Sequence, residues 1–216
     1  MEKAPKLQFI AERADAELRA LDHLFLIRVH LDSIAKAVFD TSTNKVSGPW
    51  LVLAVRQAQL NIRFVVEELM LLSVSALQQA GETVSSSIRT EYRAGKIAKK
   101  LAEINPNFFP IAISLIKSED PTVSGQFVRR EGQHLTVAHA VDYWNKSGDL
   151  LHANHRTLSE AKIVASIRQA QEFLHLTIGL LSMFEVDVSG KGMWIGGYLN
   201  FGEDRAPELF YAPTVR

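Results

Sequence analysis

The chain has 216 residues, 47% of them hydrophobic and 22% charged, which is enough to bury a sizeable core and is not the composition of a disordered chain. It contains no cysteine, which excludes disulfides, thiolate zinc sites and cysteine nucleophiles. The net charge is zero and the pI about 7.1, which speaks against a protein that coats nucleic acid through bulk charge.

The N-terminal segment MEKAPKLQFIAERADAE is charged and lacks the apolar core of a signal peptide. Leu69 to Gly81 is the longest uncharged apolar stretch, at 13 residues. A bilayer span needs about 20, so the expectation is a cytoplasmic protein with no membrane segment. Residues 5–40 carry apolar positions at threes and fours (Phe9, Leu18, Leu21, Leu24, Phe25, Ile27, Leu31, Ile34, Val38), the mark of one long helix or two abutting ones. The polar run Thr41 to Gly48 then predicts a loop. Ser47 as cap and Pro49 in the first turn predict a helix over Pro49 to Ala80, closed by Gly81. A third helix is expected over Ile88 to Ile104, stopped by Asn105-Pro106 because proline disfavours helix in the residue before it.

Residues 105–135 are punctuated by Pro106, Pro110, Pro121, Gly125 and Gly132 and predict loop with one or two short strands. Thr136 caps an expected helix over Val137 to His152, with Asn154 as its stop. Thr157-Leu-Ser-Glu160 has capping-box form and opens a last helix over Leu158 to Phe184. Beyond it lie five of the 12 glycines, between Gly190 and Gly202. The segments MWIGGYL and PELFYA flank NFGEDRA and predict a β-hairpin. The expected organisation is a mainly α bundle of about five helices over 1–186, with a hairpin extension over 187–216 packed on it. An isolated hairpin is marginal in water, and Trp194, Tyr198, Leu209 and Phe210 offer apolar side chains to bury.

The segment HLTVAHAVDYWNKSGDLLHANHR, residues 134–156, is the richest in chemistry. Val137, Val141, Trp144, Gly148 and Leu151 make one apolar stripe spaced 4, 3, 4, 3. A glycine inside such a stripe costs about 1 kcal/mol relative to alanine, which implies a close approach by a neighbour. Asp142, Lys146 and Asp149 lie on the opposite side, and His152 stands at the border. An aspartate one turn away can orient the His152 imidazole or raise its pKa. The structural alternative is a cation meeting the dipole at the helix C-terminus. On the second helix Arg56, Gln59, Arg63 and Glu67 are spaced 3, 4, 4 on one face, and Arg63 and Glu67 can pair at i, i+4. This face is either a cleft with an Arg–Glu pair or a contact that fixes helix packing. His152 is expected near Arg63 and Glu67, because its border position must look toward a central helix. On the third helix Arg89, Arg93, Lys96 and Lys100 recur at 4, 3, 4, a basic stripe that either meets phosphate or is solvated. Asp149, His152 and His155 read D-x-x-H-x-x-H, but the expected stop at Asn154 separates the histidines and no metal site is assigned. No glycine-rich phosphate loop, nucleophile elbow or dinucleotide fingerprint occurs, and no cofactor is expected.

The run LT-x(6)-Y-x(4)-G-x(2)-LH (Leu135, Thr136, Tyr143, Gly148, Leu151, His152), with R-x(3)-E at Arg63 and Glu67 and INPNFFP at 104–110, resembles a segment of uncharacterised bacterial helical proteins. More loosely, the architecture resembles the HEPN superfamily. That resemblance implies a helical domain, often dimeric, of a kind that includes ribonucleases of bacterial defence and toxin systems. The HEPN pattern places His four to six residues after Arg. Here Lys146 to His152 has the spacing with lysine in place of arginine, Arg129 to His134 falls in an expected loop, and Arg168 to His175 lies on one helix face. The resemblance therefore implies a protein engaging RNA or a nucleotide, as a weak or inactive ribonuclease. In that reading His152 is acid or base, Asp149 stands beside it, Lys146 steadies phosphate, and Arg63, Glu67, Arg89, Arg93, Lys96 and Lys100 bind. The alternative is a non-catalytic helical interaction module, dimeric, whose apolar helices bury a partner. A basic stripe sharing one cleft with His152 favours the first, and a flat apolar surface patch favours the second.

Overall fold

The computed structural model describes residues 5–43, 45–89, 91, 93–117, 125–152, 158–188 and 193–213. In chain order these form α1 (Pro5–Ser42), α2 (Pro49–Gln79), α3 (Ser86–Arg89), α4 (Ala94–Ile104), β1 (Ile111–Ile116), β2 (Gln126–Arg129), α5 (Val137–His152), α6 (Glu160–Leu181), β3 (Phe184–Asp187), β4 (Met193–Tyr198) and β5 (Glu208–Pro213). The chain is mainly helical, with five principal helices and the short α3.

The heptad-like spacing of Ala20, Leu24, Ile27, Leu31 and Ile34 gives α1 one fully buried stripe, which holds its 38 residues in helix. It packs along α2, whose own stripe of Val55, Ile62, Val65, Val66 and Leu69 is buried. Polar contacts also join the pair of helices: His23 Nδ1 meets Glu68 Oε2 at 2.6 Å, His30 Nδ1 meets Asn61 Oδ1 at 2.8 Å, and the Gln79 amide nitrogen donates to Glu17 Oε2 at 3.4 Å. α5 and α6 cover the other side of α2. Gln59, fully buried on α2, ties these elements together. Its amide nitrogen donates to the Ser166 carbonyl of α6, and its oxygen accepts from the Ser147 hydroxyl of α5.

Helix starts and stops follow local chemistry. α2 begins with Pro49 after Gly48, which holds φ at +56° and bears no side-chain cap, so Ser47 is not the cap its sequence position implied. At the other end Gly81 takes φ +87°, and the amides of Gly81 and Glu82 close onto the carbonyls of Gln78 and Leu77. Thr136 caps α5 through the amide of His139. Ser159 caps α6, accepting from the amide of Lys162, and Thr157 of the expected capping box lies outside the described residues.

The five strands form one antiparallel sheet in the order β2-β1-β3-β4-β5. The expected C-terminal hairpin is present as β4–β5, with Trp194 opposite Ala212 and Tyr198 opposite Glu208. It is docked through β3 onto β1, so strands from 111–129 and from 184–213 share one sheet. Phe184, Val186, Ile195 and Leu199 seat that sheet in the helical core. Two sequence expectations are corrected. The last helix, expected to run to Phe184, stops at Leu181, and Phe184 opens the strand Phe184–Asp187. The third helix, expected over 88–104, is two pieces. α3 ends at Arg89, and Arg93 is extended at φ −88°, ψ 109° as the N-cap of α4.

Candidate functional site

α5 is the helix on which most of the candidate chemistry sits, and its two flanks differ. Toward α2, Trp144 stands half-buried between Arg63 and Glu67. Its indole nitrogen donates to Glu67 Oε1 at 2.9 Å, and the Arg63 guanidinium lies 4.1 Å from its ring centroid. Gly148, one turn further, is buried against that guanidinium: a Cβ there would stand 3.1 Å from Arg63 Nη1. The close approach expected at Gly148 is thus made by a charged side chain and not by an apolar one. Arg63 and Glu67 form no ion pair within 4.0 Å, although both are described; the indole serves each separately. This flank is a filled contact. The expected meeting of His152 with Arg63 and Glu67 cannot be described in the same terms, because the His152 side chain lies outside the described residues.

Residues of α5, of α6 and of the segment 132–136 line a groove of about 830 Å³. A smaller recess of about 270 Å³ continues it along Asp149, Leu158 and Lys162. Lys146, Ala165 and Gln169 border both. Tyr143 lies in the wall, buried. Burial and its hydrogen bond to the Glu172 carboxylate push its hydroxyl well above the usual tyrosine range, so it stays protonated and donates. Lys146, exposed, pairs with Asp142 one turn back at 2.6 Å. Arg168 and His139 also face the groove from exposed positions. Two polar atoms in the wall are buried and have no hydrogen-bond partner among the described residues: Gln169 Nε2 and His134 Nδ1.

The predicted catalytic residues are therefore partly assembled. Lys146 and Asp149 border the recess, exposed on α5, but Lys146 is held by Asp142. None of the Arg-to-His spacings brings both members to the groove as described. His134 lines it without Arg129, and Arg168 without His175. The basic stripe is corrected. Arg89 and Arg93 precede α4, so the four cations do not share one helix face, and the Arg89 side chain is outside the described residues. Lys96 lies 3.9 Å from Glu91, and Lys100 donates to the carbonyl and hydroxyl of Ser87 at 3.2 Å. Lys96 and Lys100 are engaged near their own helix, and neither they nor Arg93 line the α5–α6 groove. Among the described residues no group of three His, Asp or Glu side chains could hold a metal ion, and no helix is long and apolar enough to cross a membrane.

Sequence reasoning missed three things. Gln59 was read as part of a charged face and is a buried hub. Gln169 and Tyr143 carried no signal as groove residues, although a neutral amide one turn before the buried Phe173 marks the inner edge of α6. The outer face of the α1–α2 pair was also missed. Leu18, Phe25 and Val29 on α1, and Leu53, Leu60 and Phe64 on α2, are all exposed, and both sets have the spacing 7, 4. Leu26, Phe39 and Trp50 add to them. Comparison with protein-family models, curated proteins and solved structures returns no match.

Proposed function

We propose that this protein is a non-catalytic helical interaction module that works as a homodimer through the outer face of α1 and α2. One observation carries the reading: nine large apolar side chains on these two helices are 37–68% exposed, while the opposite stripes of the same helices are fully buried. A helix that is apolar on two sides is built to be covered on both. At full areas of about 150–250 Å² per large side chain, nine such residues present roughly 800 Å², the per-partner size of a standard interface. A second copy fits because the exposed stripes run along two long helices and are uninterrupted by glycine or proline, and two antiparallel helices can meet the same pair across a two-fold axis. The absence of cysteine makes the test clean. In a Leu60→Cys variant a maleimide reagent should react quickly with dilute protein and slowly with concentrated protein. A rate independent of concentration would contradict the dimer.

A second reading, a HEPN-like protein engaging RNA or a nucleotide, is favoured by one separate observation: Arg168 and Lys146 face a groove of ligand size. The dispersal of the Arg and His partners supports binding without cleavage. Its test is salt-dependent binding of a short single-stranded RNA, lost in Arg168→Glu and retained in Lys96→Glu. Equal loss in both variants would place the contact elsewhere.

A further inference from the structure

We infer that the α5–α6 groove is a binding site for a small ligand with an anionic oxygen head, a phosphate or a carboxylate. The inference deepens the second reading by naming the ligand chemistry. It is independent of the dimer, since no groove residue lies on α1 or α2.

The groove holds polar groups that the protein leaves unmatched. Its acids are already engaged: Glu172 accepts from Tyr143, and Asp142 pairs with Lys146. Arg168 makes no ion pair within 4.0 Å among the described residues, so no carboxylate holds its guanidinium. Beside it are the two buried nitrogens without partners. The Gln169 amide nitrogen is a donor only, and in the wall of a groove its missing partner is an acceptor. The His134 ring nitrogen can donate in either its neutral Nδ1–H tautomer or its charged form. A buried donor without an acceptor destabilises a fold, and native proteins keep few of them. One buried amide donor and one imidazole nitrogen able to donate, on residues that line the same groove as Arg168, match an oxyanion, which accepts from several donors and pairs with arginine in a fork. The volume of about 830 Å³ is that of a small-molecule pocket, so the anionic head carries a body of further atoms. Leu176 and Ala165 give that body an apolar surface.

The test titrates the full chain with inorganic phosphate, citrate, adenosine monophosphate and adenosine. Calorimetry measures binding, and side-chain amide NMR locates it. Expected is binding of at least one of the three anions, a downfield shift of the Gln169 side-chain amide protons, and adenosine at least about tenfold weaker than its monophosphate if the phosphate is the head. Citrate alone would make the head a carboxylate. Gln169→Leu should weaken the bound anion by about tenfold or more while melting at the same temperature or higher, because it removes a buried donor that nothing in the protein satisfies. Arg168→Ala should weaken it similarly and leave the fold intact. The inference is overturned if no anion binds at millimolar concentration, if adenosine binds as well as its monophosphate, or if binding survives both substitutions. RNA binding that persists when all small anions fail would overturn this inference and leave the second reading standing.

Discussion

Trp144 shows how one side chain can absorb two charges that would otherwise meet. Its indole N–H satisfies the half-buried Glu67 carboxylate, and its ring face receives Arg63. Replacing Trp144 by Phe keeps a ring under Arg63 but leaves Glu67 without its donor, which costs about 1–3 kcal/mol in denaturant unfolding. Arg63→Ala should cost about 0.5–2 kcal/mol from the lost cation–π contact. Gly148→Leu should destabilise by about 1–3 kcal/mol, because the new side chain drives the Arg63 guanidinium off the ring. If Arg63→Ala and Gly148→Leu are additive in the double mutant, the guanidinium is not what Gly148 makes room for. Tyr143 gives a residue-scale signature in pH. Its hydroxyl is held above the ordinary value near 10 by burial and by Glu172. The folded state therefore stays neutral where the unfolded chain begins to ionise. That contribution to stability is complete below pH 10 and is lost as pH rises above it. Tyr143→Phe should flatten the alkaline fall in melting temperature, and an unchanged fall would place the titration at another tyrosine.

At the scale of elements, the helices were legible because each carries a buried stripe of the right period over many turns, and because Pro49, Gly81, Asn105-Pro106 and Thr136 mark ends through backbone chemistry. The break at Arg93 was not legible, since Arg-Thr-Glu-Tyr-Arg contains neither proline nor glycine and the periodicity runs across it. β3 was hidden for a different reason. Phe184–Asp187 follows the apolar end of α6 after only Ser182 and Met183, and what makes it a strand is pairing with β1, some seventy residues earlier, and with β4. The groove was only partly legible, because its walls come from α5, α6 and the 132–136 segment, and sequence spacing relates residues within one helix only. The sheet carries its own prediction. Gly196 lies opposite Phe210, and the Phe210 and Trp194 rings fold over it. A Cβ there would come within 2.6 Å of both rings. Phe127 stacks on Phe210 and meets Trp194 edge-on, which extends this cluster to β2. Gly196→Val should expel the rings and lower the melting temperature by several degrees, whereas retention of the wild-type value would mean that the rings do not depend on that space.

For the whole molecule, the proposed dimer rests on the distribution of exposed apolar surface. In the basic segment Lys96 lies near Glu91 and Lys100 donates to Ser87, and neither lines the groove. The α1–α2 pair, by contrast, turns an apolar face outward along two long helices, with the 7, 4 spacing repeated on each. Electrostatics gives this face little to repel a like surface, since the chain is neutral overall and charges on the outer side of α1, such as Lys36 and Asp40, pair within the helix. Dimerisation would bury the face and leave the α5–α6 grooves of both copies open, because the grooves lie on other elements. The most direct measurement is sedimentation velocity of the wild-type chain and of the Leu53→Glu, Leu60→Glu double variant over a range of concentrations. The account predicts a dimer for the wild type and a monomer of unchanged helical content for the variant, with bound anion affinity the same in both. A wild-type chain that stays monomeric at the highest concentration, or a variant that remains dimeric, would contradict it.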